Sequence, residues 1–288
     1  MYAAFVDLDN GNNAFWGDGN FVTTLRSSAK PFQAIPILMS NGDDELSDEE
    51  LAICCASHPG TPRHSALAAS VLALSGYIPD DLVCTPSNGT SPLTHGCSGN
   101  HAAILLGAKL KGYPMRHYFL PEHPIQHDIL KIISDVCDCN DIRVAVDGCG
   151  VPTFAMPLVN MAIGFANLCS KDSVAPRIPQ VMGCNPELIG SETWPDVRVM
   201  KVTDGRIIGK TGADGLICYG KVGSKSGVAI KVLDGSPRAL GPASIHILSE
   251  IGWLSKEELE NPDIMGLEQP PIKDSRNEIV GKLQLQTL

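Results

Sequence analysis

The rhythm of hydrophobic and polar positions changes twice along the chain. Near the start, Met1 to Asp9 and Asn13 to Gly17 read as two short strands joined by the Asn10-Gly11 turn. A polar loop follows, and Ser27 then opens a helix running through Phe32, Ile35 and Leu38. Pro31 suits an early helical position, where a missing N–H costs nothing, and Pro36 keeps this helix short. Ser47-Asp48-Glu49-Glu50 is a helix start with an acidic first turn, and that helix ends near Ser57. Apolar positions at Leu67, Val71 and Leu74 predict a helix over Pro62 to Gly76. Asn100 to Leu110, Ile125 to Val136 and Met156 to Asn167 also read as helices, with a strand at Arg143 to Val146.

From Val197 onward the pattern turns to strands: Val197 to Val202, Arg206 to Gly209, Gly215 to Val222 and Val228 to Val232, separated by Gly and Asp turns. Ala239 to Leu254 is expected as the final amphipathic helix. Strands at both ends of a helical middle predict an α+β fold with one antiparallel sheet built from both chain ends. The expected organisation is a single domain over 1–288, helix-rich at about 26–190 and strand-rich at about 197–233.

Composition narrows the function classes. With 43% hydrophobic and 19% charged residues, the chain can bury a sizeable core. A formal net charge of -10 argues against nucleic acid or an anionic membrane as partner. No apolar run approaches the roughly 20 residues that span a bilayer. The start lacks a basic n-region, so a cytoplasmic protein is expected. Ten cysteines are scattered through apolar segments without a Cys-x-x-Cys, which predicts mostly reduced core thiols. Cys137-x-Cys139 sits in a polar stretch and is expected at least half exposed.

The chemistry concentrates in a few segments. Ser27 and Lys30 form the chain's single Ser-x-x-Lys, and Lys210-Thr211-Gly212 its single Lys-Thr-Gly. Ser-x-x-Lys places a hydroxyl and an amine one turn apart on one helix face. A neutral amine there can take the hydroxyl proton as the oxygen attacks a carbonyl. Taken alone, the motif is more often an N-capping serine with an exposed lysine. Paired with Lys210-Thr211-Gly212, where a lysine and a hydroxyl can hold a substrate carboxylate, acyl transfer becomes the better reading. Ser57-His58-Pro59-Gly60 is a tight turn that can present Ser57. Cys97-Ser98-Gly99-Asn100-His101 precedes an apolar helix and suits a helix start facing an anion. Asp147-Gly148-Cys149-Gly150 leaves a strand with two glycines, which suits backbone close to a ligand. Cys97 and Cys149 can share a soft metal, yet two thiolates make an incomplete site.

In this order the segments resemble the asparaginase II family, the rhizobial-type or thermolabile L-asparaginases. The resemblance is carried by Arg26-Ser27-x-x-Lys30-Pro31-Phe32-Gln33-Ala34, Ser57-His58-x-Gly60, Pro62-Arg63-His64 and Cys97-Ser98-Gly99-x-His101. It continues through His123-Pro124-Ile125-Gln126, Asp147-Gly148-Cys149-Gly150-x-Pro152-Thr153-Phe154 and Lys210-Thr211-Gly212-Ala213-x-Gly215.

The resemblance implies a serine β-lactamase-like fold, a homodimer, and hydrolysis of L-asparagine to L-aspartate and ammonia. It implies Ser27 as nucleophile with Lys30 as its base, and Ser57 with Lys210 as a second serine–lysine pair. Arg26, His101 and Asp147, with Thr211 and Gly212, would bind or orient substrate. Two lysines converging on one site would lower each other's proton affinity, which such a base requires. It also implies a zinc ion held by Cys97, Cys149 and a lysine. Asn100 stands where that lysine would be, and Thr61 where an acidic residue would follow Ser57-His58-x-Gly60. The Ser-Asp-Asn element of penicillin-recognising enzymes is absent, which argues against β-lactam substrates. The alternatives are a serine amidohydrolase for another amide, such as glutamine, and an inactive amino-acid or metal sensor.

Overall fold

A computed structural model describes residues 1–40, 42–85 and 91–286. Strands β1 (Tyr2–Asp7) and β2 (Asn12–Trp16) form a hairpin whose turn holds Gly11 at φ 68°. The Asp7 carboxylate accepts from the Asn10 side chain at 2.8 Å and closes that turn. Strand β3 (Val22–Thr24) then leads into a tight turn over Arg26–Ala29 and the short helices α1 (Lys30–Gln33) and α2 (Ile35–Leu38). Helix α3 (Asp48–Cys54) starts at a capping box between Ser47 and Glu50. Helix α4 (Pro62–Ser75) is capped by Thr61 and stopped by Gly76 at φ 83°, where a side chain would be strained. Helices α5 (Ser98–Leu110) and α6 (Pro124–Val136) complete the helical middle.

Strands β4 (Arg143–Val146) and β5 (Pro152–Pro157) join β3 in a small sheet ordered β3-β5-β4. The chain continues through α7 (Leu158–Cys169), α8 (Arg177–Cys184), α9 (Pro186–Ile189) and α10 (Pro195–Val202). Strands β6 (Ile207–Gly212), β7 (Leu216–Lys221) and β8 (Ser226–Lys231) return beside β1. They are followed by α11 (Leu240–Glu250), α12 (Lys256–Leu259), α13 (Pro262–Glu268) and the hairpin β9 (Pro271–Lys273) and β10 (Ile279–Lys282).

The five-stranded antiparallel sheet runs β2-β1-β8-β7-β6, so its centre joins the first strand of the chain to strands more than 200 residues later. Its inner strands are hydrophobic on both faces because both are covered. Ala4, Val6, Ile208, Cys218 and Ala229 face one core with α7 and the helical middle. Ala3, Ile207, Ile217, Tyr219, Val228 and Ile230 face a second core with α11 and α13. The period-two alternation of a strand thus feeds two separate cores.

The α+β reading and the sheet drawn from both ends hold. Val197 to Val202 is helical rather than a strand. Pro195 sits in its first turn, Asp196 complements the helix start, and Val199 and Met200 bury on opposite sides of the chain. The helix expected from Met156 begins at Leu158, since Met156 still pairs with Thr23 in the small sheet. The helix expected to be last is followed by two more helices and a hairpin. Cys137 and Cys139 are buried rather than exposed, because Cys137 packs against Gly164 of α7 and hydrogen bonds to Ser134 draw Cys139 in beside α6.

Helix α7 lies against β8 at backbone distance. A Cβ on Gly227 would stand 2.0 Å from the Ala162 carbonyl oxygen and 2.7 Å from the Ala166 nitrogen. Gly227→Ala is therefore expected to destabilise the protein by about 3 kcal/mol, the upper end of overpacking costs, as read from the urea midpoint at unchanged m-value.

Candidate active site

The candidate site forms where the small sheet meets the edge of the large one. Strand β3 is held along β5, and Leu25 N donates to the Phe154 carbonyl at 2.8 Å. The chain then turns sharply. Arg26 adopts φ 48°, a left-handed conformation unusual for a side chain of that size. Three groups hold it there: its N–H donates to Thr153 Oγ1 at 3.0 Å, its Nε to Asp147 Oδ2 at 2.6 Å, and its guanidinium also pairs with Asp214. This strained residue presents Ser27 at the wall of a cavity of about 590 Å³ that also reaches Ser57, Thr211 and Gly212.

Lys30, one turn on, is buried at 2% exposure. Its Nζ donates to the Ala56 carbonyl at 2.7 Å, Ser57 Oγ at 2.9 Å, Cys97 Sγ at 3.2 Å and the Gly96 carbonyl at 3.4 Å. The lysine of the Ser-x-x-Lys motif is thus hydrogen-bonded to Ser57, and none of these four bonds goes to Ser27. The Ser57 N–H donates to the Ile189 carbonyl at 2.8 Å, which fixes the turn after α3.

Lys210 approaches from β6. Ser28 Oγ donates to its carbonyl at 2.8 Å, tying the serine turn to the sheet edge. Gly212 permits that contact, since a Cβ there would stand 2.9 Å from the Leu25 carbonyl oxygen. The Lys210 side chain is fully buried, and its Nζ donates to the Thr211 carbonyl at 2.7 Å rather than to Ser57. Burial lowers its pKa to about 8, Asp196 acts in the opposite direction, and the charge of Lys30 lowers it further. Asp196 also accepts the Thr211 N–H at 2.6 Å. The Thr211 hydroxyl is buried without a hydrogen-bond partner among the described residues, beside the large cavity.

Asp147 lies in the β4–β5 turn, where its Oδ1 accepts the Cys149 N–H at 3.4 Å and its Oδ2 takes Arg26. Asp214 is the residue that sequence reading missed. It was legible only as half of the Asp214-Gly215 turn between β6 and β7, whereas the fold brings it onto Arg26. His101 lies away from both cavities that Ser27 lines. Its Nδ1 meets the Tyr118 hydroxyl at 2.7 Å, and burial drops its pKa to about 4. His58 is likewise a buried neutral imidazole, pushed down to about 3 by burial and by Lys30. It accepts the Gly60 N–H and reaches Ser98 Oγ at 3.0 Å. Thr61 caps α4 and bonds His64 at 2.6 Å.

Cys97, at the start of α5, interacts with Cys149. The Cys97 thiol is drawn well below its ordinary range, chiefly by a hydrogen bond from Cys149, with the positive charge of Lys30 adding to it. Cys149 is raised by the same bond. Asn100 is fully buried and lines a narrow cleft with Ser27, Lys30, Asp147 and Cys149. Both its amide oxygen and its amide nitrogen lack a partner among the described residues. These residues do not fit a resident zinc ion. Two sulfurs are one ligand short of the three protein donors of even an open zinc site, a neutral amide not being among zinc's ordinary donors, and the Lys30 nitrogen already supplies the positive charge beside Cys97. No cluster of three His, Cys, Asp or Glu side chains suited to a metal exists among the described residues.

Zinc-supplemented expression is accordingly expected to yield far less than one zinc per chain by elemental analysis, and Asn100→Lys to raise that stoichiometry. A tightly held equivalent of zinc in the unaltered protein would show that the amide serves as a ligand after all.

No helix among the described residues is long and apolar enough to cross a membrane. No curated protein matches the chain. The family model for L-asparaginase II matches residues 1–285, nearly the whole length and every segment of the site described above. With a match of that extent, the chain belongs to the L-asparaginase II family.

Proposed function

We propose that this chain is an L-asparaginase that hydrolyses the side-chain amide of L-asparagine through an acyl-enzyme on Ser27, on a serine β-lactamase-like scaffold. The observation that carries the reading is the buried Lys30 nitrogen, 2.9 Å from Ser57 Oγ, beside a cavity that both Ser27 and Ser57 line. An amide carbonyl is a weak electrophile and a serine hydroxyl a weak nucleophile, so the attack needs a base at hand. In this proposal Lys30, in its neutral form, takes the Ser27 proton as Ser27 Oγ bonds to the amide carbon. Ser57, already bonded to Lys30, relays a proton to the departing nitrogen, and ammonia leaves. Water then cleaves the ester to release aspartate. Lys210 supplies the second amine of the set, buried enough to lose its proton at mildly alkaline pH. Arg26, braced by Asp147 and Asp214, and Thr211 hold the charged half of the substrate. A homodimer in a cytoplasmic setting belongs to the same proposal.

Replacing Ser27 by Ala is expected to cut ammonia release from L-asparagine by about 10⁴-fold or more while leaving the melting temperature within a few degrees. Full turnover in that folded variant would remove Ser27 as the nucleophile. The pH dependence follows from the sign of the Lys210 shift. Its folded pKa lies below the ordinary lysine value, so the neutral amine accumulates as pH rises through about 8. kcat/KM is expected to climb across that region, and stability to increase between about pH 8 and the unfolded lysine pKa, where the unfolded chain binds the extra proton. A rate profile flat through pH 8 would take Lys210 out of the reaction.

A further inference from the structure

The cavity that holds the two serines is far larger than asparagine requires. At about 590 Å³ it lies within the range of roughly 300–1,000 Å³ that accommodates drug-sized ligands. One end carries Ser27, Ser57 and Thr211. The other end is built from Trp194, Leu240, Pro242, Leu267 and Pro270, an apolar wall contributed by the start of α10, α11 and α13. The charged side chains in the lining are already engaged. Arg198 donates to the Glu192 and Asp263 carbonyls at 3.2 and 3.3 Å, Arg238 pairs with Asp234 at 3.7 Å, and Asp214 is held by Arg26. Arg238 stays largely exposed to solvent, so the apolar residues themselves offer no charged partner, and a desolvated charge placed against them would be costly.

Resting on the asparaginase reading of the same site, we propose that the enzyme's preferred substrates are N4-substituted L-asparagines, secondary amides whose nitrogen carries an aromatic or aliphatic group seated in the apolar end. The direction of binding follows from charge. The aspartyl half of such a molecule bears an ammonium and a carboxylate, which Trp194, Leu240, Pro242, Leu267 and Pro270 cannot solvate, whereas the amine half can be wholly apolar. The chemistry balances as for the primary amide. The Ser27 Oγ–carbon bond forms, the carbon–nitrogen bond breaks, the free amine departs with the relayed proton, and water then releases aspartate. Burial of the substituent would contribute binding energy remote from the reacting atoms, which primary asparagine cannot supply.

The test compares kcat/KM for L-asparagine, N4-methyl-L-asparagine and N4-benzyl-L-asparagine, with release of aspartate as the common readout. The benzyl compound is expected to exceed asparagine by about tenfold or more, with the methyl compound between them. Gly266 lies in the cavity lining and is exposed, with only the end of the Arg198 side chain near a Cβ there, at 3.3 Å. Gly266→Phe is thus expected to fold and to reduce the benzyl rate at least tenfold more than the asparagine rate. Turnover of asparagine with none of the benzyl compound would overturn the substrate class and leave the asparaginase reading standing. Turnover of the benzyl compound with none of asparagine would support the cleft assignment and overturn the simpler activity. No aspartate from any of the three would overturn both. A dimer in the unaltered protein that Gly266→Phe converts to monomer, with benzyl-asparagine inert, would show that a second copy covers this wall and would also sink the proposal.

Discussion

The buried Lys30 nitrogen is the interaction on which the rest of the site depends. A lysine head group enclosed in protein is costly unless every hydrogen it offers meets an acceptor. Here the acceptors come from two separate segments, the Ala56-Ser57 turn after α3 and the Gly96-Cys97 turn before α5. Those turns converge because the lysine joins them, and the lysine is buried because Ala29 and Phe32 on either side belong to the main core. Position, burial and hydrogen bonding therefore support one another. Loss of the amine would leave two carbonyls, a hydroxyl and a thiol facing a buried gap.

A second constraint acts on the residue before Ser27. A left-handed, non-glycine residue costs on the order of 1–3 kcal/mol and persists where its surroundings over-determine it. Arg26 meets that condition through Thr153, Asp147 and Asp214, which belong to β5, the β4–β5 turn and the β6–β7 turn. The strain directs Ser27 toward the cavity instead of letting the turn relax into a regular helix. The same guanidinium ties the small sheet to the large one, so positioning of Ser27 and docking of the two sheets are a single structural event.

The cysteine pair shows how one substitution redistributes charge. With an uncharged amide at position 100, the hydrogen bond from Cys149 and the charge of Lys30 are what lower the Cys97 pKa. Asn100 contributes shape and two unpartnered polar atoms without charge, next to Ser27. The region is therefore organised around lysine, thiol and amide groups, in contrast to the ligand set that the family resemblance implied.

Much of this was legible in the chain itself. Ser27, Lys30, Ser57 and Lys210 could be picked out because their motifs are short, local and unique, and a local motif survives without knowledge of the fold. The strands Arg143–Val146 and Gly215 to Val222 and the helices over 62–75, 100–110 and 125–136 could be read because their periods and caps are also local. Val197 to Val202 was misread because its valines alternate like a strand, while the deciding factor, burial on two different cores, is a tertiary property. Which partner each site residue takes was likewise undetermined by sequence. Lys30 binds Ser57 rather than Ser27, Asp214 braces Arg26, and His101 turns toward Tyr118 because distances among residues tens to hundreds apart are set only when the sheets and helices pack. Sequence alone determined which chemical groups this protein owns and where regular structure begins; the tertiary fold decided which of those groups meet, because hydrogen bonds and ion pairs act over a few ångströms that no spacing along the chain can specify.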